Sequence, residues 1–567
     1  MTLKSTLLAA VAVATISVMA ARAERGADGH LNLLYWQAPS ILNPFLSGGI
    51  KDTEASSMIL EPLARHDENG QLVPWLVREI PTVENGGVSA DMTTITWRIT
   101  PGLKWSDGTK FTADDVVFTA KYCMSPEGGC QQESKFFDVK TVDALDDLTV
   151  KVTFEKPKPY PYGPFVGHDS PILQKEQFKN CVGAAAPNCT AENFAPRGTG
   201  PFRVTDFKAN DVLTLEANPF YRDPGKPGFA TVTLKGGGDA AGAARAVLQT
   251  GEFDYAWNLQ IDPSLLAEMA KGGKGEVITA FGAAVERMQV NLTNPDPALG
   301  PDRSTLKGGA HPFLTDPIVT KSLSMAIDRT VLAEVGYGAA GKPTCNVLPA
   351  PALYRSAAND DCLIQDIPKA NQMLDDAGWL RGSDGIRSKD GVRLSILFQT
   401  STNAVRQDTQ ALVKSWWTKL GIEVELKNVA PAVYFGGSQS SPDTYQKHYA
   451  DIGMFTNTFT GSDPETYMKN WTCAQIPAPE NNWLGFNIPR FCNADYDALA
   501  DKMSQTAVLE DRAALAIAMN DMLVQNGALI PLVHRGDVSA RAKNLTGVRM
   551  NSWDSELWNI ADWGRAQ

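Results

Sequence analysis

Several short runs hold residue types that could do chemistry. Residues 336–343 read GYGAAGKP, close to a phosphate-cradling loop. Such a loop needs Ser or Thr after its lysine to hold Mg²⁺, and a helix must follow. Pro343 takes that place, so no nucleotide site is expected. GGGDAA at 236–241 follows a strand pattern and opens a helical one; alone it reads as a flexible strand-to-helix turn. No H-E-x-x-H and no G-x-S-x-G occurs, and no two of the six histidines stand three or four positions apart. His168-Asp169-Ser170 sets three triad residue types side by side. Neighbours on an extended chain point to opposite faces, so the run itself is not a triad. Acidic residues abound, yet nothing marks two of them as a glycosidase pair. An exported hydrolase is therefore open but unsupported.

The elements that would position any site alternate between two periods. HLNLLYW (30–36), TTITWRIT (93–100), LTVKVTF (148–154) and ATVTLK (230–235) read as strands. GTGPFRVTDF (198–207) and VLTLEANPFY (212–221) read as a meander. Helical spacing is expected over 51–66, 114–122, 240–251, 316–337 and 495–527. Thr112 followed by two acids caps the second of these. RLSILFQT (393–400), a helix over 404–420 and IEVELKNV (422–429) form a β-α-β unit, and ALIPLVH (528–534) is a late short strand. Strands alternating with helices predict an α/β or α+β architecture.

The chain has 567 residues, 43% hydrophobic and 20% charged, which suits a globular protein of several domains. Its 64 acidic against 52 basic residues give a net charge of −12. An acidic surface repels phosphate backbones, so nucleic-acid binding is excluded as an expectation. Six scattered histidines give no support to a metal site, and no cofactor is expected.

Residues 1–23 carry Lys4, a 13-residue apolar run from Leu7 to Met19, and Ala21-Arg22-Ala23. The run is short of the ~20 residues that cross hydrocarbon. The pattern is that of a cleaved secretory signal, and it predicts a soluble exported chain. The eight cysteines fall as neighbouring couples: Cys123 and Cys130, Cys181 and Cys189, Cys345 and Cys362, Cys473 and Cys492. Eight cysteines allow about a hundred pairings. Each couple brackets Gly-, Pro- or Asn-rich sequence, which predicts sequential disulfides stapling loops.

Five ordered blocks carry a family resemblance. They are ILEPLARHDENGQLVPWLVREI (59–80), WRITPGLKWSDGTKFTADDVVFT (97–119), GTGPFRVTDF with ANPFYR (198–207 and 217–222), DPIVTKSLSMAIDRTVL (316–332) and DRAALAIAMNDMLVQNGALIPL (511–532). The chain resembles family 5 of the extracellular solute-binding proteins of ABC transporters, the peptide-, opine- and nickel-binding type. The resemblance implies an α/β, two-lobed periplasmic-binding-protein fold (type II, cluster C-like) with an extra subdomain in the first lobe. Lobe one would combine 24–66, 197–290 and 530–567; the subdomain would span 67–196; lobe two would span 291–529. It also implies a monomer that carries a small molecule or peptide to an inner-membrane permease and performs no reaction.

In peptide-binding members a lobe-two loop sets an Asp against the ligand's α-amine. Counting back from Pro464, that place falls here on Thr460, and no carboxylate lies between Asp451 and Asp463. A buried ammonium without a partner costs several kcal/mol. Either another acid reaches the amine, or the ligand lacks a free one, as a blocked peptide, an opine or a small oligosaccharide would. The same mapping puts Asn457, Thr458 and Phe459 beside Thr460 in that loop. It places Tyr35, Trp36, Gln37 and Ser40, with Trp257, Asn258 and Gln260, on the lobe-one wall. Gln399, Thr400 and Ser401 end a lobe-two strand, a usual contact position, and Tyr434 and Phe435 follow.

Overall fold

The computed structural model describes residues 24–436, 440–459, 461 and 463–566. The expected signal segment and Thr460 lie outside the described residues.

Alternating apolar residues build the first sheet. Leu31, Leu33 and Tyr35 of the strand His30–Tyr35 are fully buried. This strand pairs in parallel with Thr231–Gly236 and with Tyr255–Ala256. Seven strands lie in the order Gly275–Ala280, Asp537–Ala542, Tyr255–Ala256, His30–Tyr35, Thr231–Gly236, Val212–Ala217 and Phe202–Lys208. The second sheet has six: Gly341–Pro343, Leu529–Arg535, Val285–Val290, Ile452–Asn457, Ser395–Ser401 and Glu423–Val429. Ser395–Ser401 and Glu423–Val429 are parallel, joined by the helix Ala404–Lys419, as the β-α-β pattern predicts.

Three helical expectations are corrected, the simplest being 495–527, which is two helices, Ala494–Met503 and Leu509–Gln525. The spacing over 51–66 yields only the helix Ile50–Ser56, followed by the strand Ala64–His66. Pro62 has no N–H for a helical bond, and the segment turns to meet Leu72–Pro74. The span 316–337 is two helices, Pro317–Met325 and Arg329–Tyr337. Asp328 caps the second by accepting from the Val331 N–H at 3.0 Å, and a capping carboxylate needs a non-helical residue there.

The cores divide the same way as the sheets. One apolar cluster runs from Leu33, Phe202 and Val232 of the first sheet into Trp97, Phe118 and Val150 of the inserted segment. Met288, Phe398, Trp417 and Leu532 belong to a separate cluster around the second sheet. The insert thus shares its core with the first lobe. Among the described residues all eight cysteines pair with their sequence neighbours, Cys123–Cys130, Cys181–Cys189, Cys345–Cys362 and Cys473–Cys492.

Two crossings connect the sheets. Gly275–Ala280 continues through residues 281–284 into Val285–Val290, and Leu529–Arg535 passes through Gly536 into Asp537–Ala542. The boundaries expected near 290 and 529 therefore fall within second-sheet strands or at their ends. The change of sheet itself comes at 281–284 and at Gly536. At Gly282 the backbone packs so close that a Cβ would lie 2.3 Å from the Ser552 carbonyl oxygen. Glycine is required there by close approach rather than by backbone angle.

Candidate ligand-binding site

The lobes meet over a cavity whose empty space, open solvent at its mouth included, is about 1080 Å³. The first lobe contributes Gln37, Trp257, Asn258 and Gln260; the second contributes Phe435, Phe455, Asn457 and Thr458. The crossing supplies Arg535 and Asp537. A second chamber shares Gly48, Ile50, His168, Asn457, Thr458 and Phe486 with the first, and reaches Phe459, Tyr160 and His66. The two chambers adjoin, which suits an elongated guest.

The residues expected from sequence divide into wall and support. Gln37, Trp257, Asn258, Gln260, Phe435, Asn457 and Thr458 face the cavity, and Phe459 faces the second chamber. Tyr35 stands behind Trp257, its ring stacked at 4.8 Å and 9°. Trp36 donates its indole N–H to the Asn258 carbonyl at 2.8 Å, shaping the wall rather than lining it. The Ser40 N–H donates to Asp52 at 2.6 Å. Gln399 donates to the Asp443 carbonyl at 3.2 Å, Thr400 donates to the Met454 carbonyl at 2.7 Å, and Ser401 accepts from Arg406 at 2.9 Å. These three are engaged within the lobe. Tyr434 packs among Phe435, Tyr445 and Phe455.

Sequence reasoning missed the charged groups at the hinge end. Glu54, Asp537 and Glu556 line one end of the cavity. Glu54 accepts from the Ser555 hydroxyl at 2.6 Å and from the Glu556 N–H at 3.0 Å. Glu556 accepts from Ser539 at 2.6 Å and from the Tyr255 hydroxyl. Burial pushes Glu54 and Asp537 above their ordinary values. It pushes Glu556 well above its own, and repulsion from Glu54 and Asp537 adds to the rise. Arg535 Nη2 donates to Asn258 Oδ1 at 2.8 Å, while its Nε has no partner among the described residues. Other ions at the wall are matched. Arg406 grips Glu286 through two bonds of 2.8 and 3.1 Å, Arg65 holds Asp554 at 2.9 Å, and Lys51 holds Asp52 at 2.8 Å. The first-lobe acids come from 50–56 and 551–558, nearly the whole chain apart, so no local motif could announce them.

Away from the hinge, the insert and second lobe are bridged by ions. Lys158 pairs with Glu465, and Lys469 Nζ lies 2.8 Å from Asp138 and 3.3 Å from Glu465. Arg512 holds Asp463 at 2.6 Å and Glu465 at 3.2 Å. Gly461 adds a backbone bond, its N–H donating to the Trp553 carbonyl at 2.8 Å.

Two sheets joined by two crossings and closed over a lined cavity define a bilobal solute-binding protein. The family model for bacterial extracellular solute-binding proteins, family 5 (middle region), matches residues 71–477. The chain belongs to this family of solute-binding proteins. It is 29% identical over 393 residues to Protein XP55 of Streptomyces lividans, an alignment covering 69% of this chain and 65% of that one. It is 24% identical over 467 residues to the glutathione-binding protein GsiB of Escherichia coli K12, covering 82% of each. The structure of the oligopeptide-binding protein AppA of Bacillus subtilis, in complex with a nonapeptide, superposes with a TM-score of 0.81 at 22% identity. That match covers 96% of this chain and 100% of AppA, and it establishes the two-lobed fold. No helix among the described residues is long and apolar enough to cross a membrane.

Proposed function

We propose that the chain is the periplasmic binding component of an ABC importer, capturing a short peptide or peptide-like solute between its lobes and releasing it unchanged to an inner-membrane permease. The carrying observation is the cavity walled by both lobes and by the crossings between them. Closure removes water from the guest, so each polar contact strengthens and each unpaired polar group becomes costly. A closed, loaded shape differs from an open one, which lets a permease distinguish them. Family membership, glutathione binding by GsiB and nonapeptide binding by AppA support this reading. The signal pattern at 1–23 and the paired cysteines favour export.

An opine or small oligosaccharide is the second reading, favoured by neutral Gln37, Asn457 and Thr458 on the wall. Mass spectrometry of small molecules released from freshly purified protein, followed by calorimetry, tests both. Peptide recovered intact is the expected result; a carbohydrate would replace it with the second reading. Chemical turnover of the guest on incubation would refute carriage.

A further inference from the structure

We propose, resting on the reading that the solute is peptide-like, that the hinge end of the cavity receives a primary ammonium group with an oxygen acceptor beside it, held by Glu54, Asp537, Glu556 and Arg535.

The charge arrangement points there. Arg406, Arg65 and Lys51 each have a carboxylate of their own within 3 Å. Among the described residues the three hinge-end acids have no cation that close: Arg535 approaches Asp537 only to 3.9 Å, outside hydrogen-bond range, and His168 acts on Glu54 without a hydrogen bond to it. Burial and repulsion outweigh what His168 lends Glu54 and what Arg535 and His534 lend Asp537, and all three acids stand above their ordinary values. Asp537 keeps 28% of its side chain exposed and lines the cavity, so an incoming donor can reach it. A second observation is independent of the acids. Arg535 is only 4% exposed and lines the cavity, yet its Nε–H has no acceptor among the described residues. A buried unpaired donor is costly, and a guest oxygen would satisfy it.

One guest fragment answers both needs. An ammonium supplies three donors to carboxylates, and a carbonyl or carboxylate oxygen one carbon away accepts from the guanidinium. The opposite wall cannot substitute. Phe435, Phe455, Asn457 and Thr458 bear no charge, and Asp463 is held bidentately by Arg512. The amine partner absent from the second-lobe loop is thereby replaced from the hinge and the first lobe. Two sources share this chemistry: the N-terminus of an α-linked peptide, and the free α-amino-acid end of a side-chain-linked conjugate.

The test is calorimetry on the full mature protein with a panel of Ala-X-Ala tripeptides, the same panel N-acetylated, and γ-glutamyl dipeptides. Acetylation is expected to weaken binding by at least about tenfold, and D537N to weaken the free-amine ligands by a similar factor. Thermal melting confirms that D537N is folded, and the acetylated panel needs no variant at all. Tighter binding of either α-linked or γ-glutamyl probes identifies the source. Acetylated and free peptides binding within about twofold of each other would overturn this inference and leave peptide capture standing. No binding from any panel would overturn the peptide reading itself, and this inference with it.

Discussion

Lys469 Nζ lies 2.8 Å from Asp138 Oδ2 although the two stand on opposite sides of the cleft. Lys469 ends the second-lobe helix Glu465–Lys469, and Asp138 precedes the insert strand Val139–Asp146. Glu465, 2% exposed, sits at the centre of this bridge, touching Lys158, Lys469 and Arg512. Burial opposes its charge, but Lys158, then Lys469 and Arg512, outweigh that and hold it below its ordinary value. Removing one member of such a set strands buried charge and costs about 3 kcal/mol or more. E465A is therefore expected to depopulate the closed form. Small-angle scattering of ligand-free protein should give a larger radius of gyration than wild type; identical profiles would mean that the bridge does not hold the lobes.

The Arg406–Glu286 pair predicts a stability effect confined to the second lobe. Both side chains are buried and joined by two hydrogen bonds. R406M leaves Glu286 without its main partner and should cost about 3–5 kcal/mol in chemical denaturation. The double variant E286Q/R406M should recover most of that loss, since no bare charge is left behind.

Tyr35 carries a prediction of the opposite sign. Its ring stacks on Trp257, but its buried hydroxyl has no partner among the described residues. Y35F keeps the stack and removes the unpaired group, and should stabilise the fold by about 1 kcal/mol. Y35A removes the support behind Trp257 and should cost about 3–5 kcal/mol. Denaturant midpoints of the two variants check both.

His66 predicts a pH effect. It is buried beside the second chamber, its Nδ1 without a partner among the described residues. Burial lowers its pKa to about 4, against the pull of Asp554. Between about pH 6.5 and 4 the unfolded chain binds a proton that the folded one refuses, so stability attributable to this group is lost as pH falls through that window. H66Q lacks the penalty. Relative to wild type, it should gain about 2 kcal/mol on going from pH 7 to pH 4.5. A constant difference across that range would show that His66 does not titrate this way.

Much of the frame is legible in sequence because it depends on local periodicity. Leu31, Leu33 and Tyr35 alternate, Thr112 caps a helix, and the cysteine couples bracket turns. The strand Val285–Val290 escapes such reading because Glu286 and Arg287 stand where a buried strand should be apolar. Their burial makes sense only with distant partners: Arg406 for Glu286, and the Tyr467 hydroxyl for Arg287 at 2.8 Å. The site was half legible for the same reason. Trp257 and Asn258 follow the strand Tyr255–Ala256 and Asn457 ends Ile452–Asn457; the family resemblance, not a strand pattern, singles them out. Glu54, Asp537 and Glu556 become neighbours only through the return of the C-terminal segment to the first lobe. Gln399, Thr400 and Ser401 lie at a favoured strand end, but the lobe's own carbonyls and Arg406 engage them.

Among the described residues, no sulfur bridge spans the division between the jaws. Two straps lie within the insert and two within the second lobe. Both ends of every strap therefore travel with one body as the jaws part. Oxidation stiffens each jaw while leaving its swing free, and a reductant would soften the jaws without changing the arc they sweep.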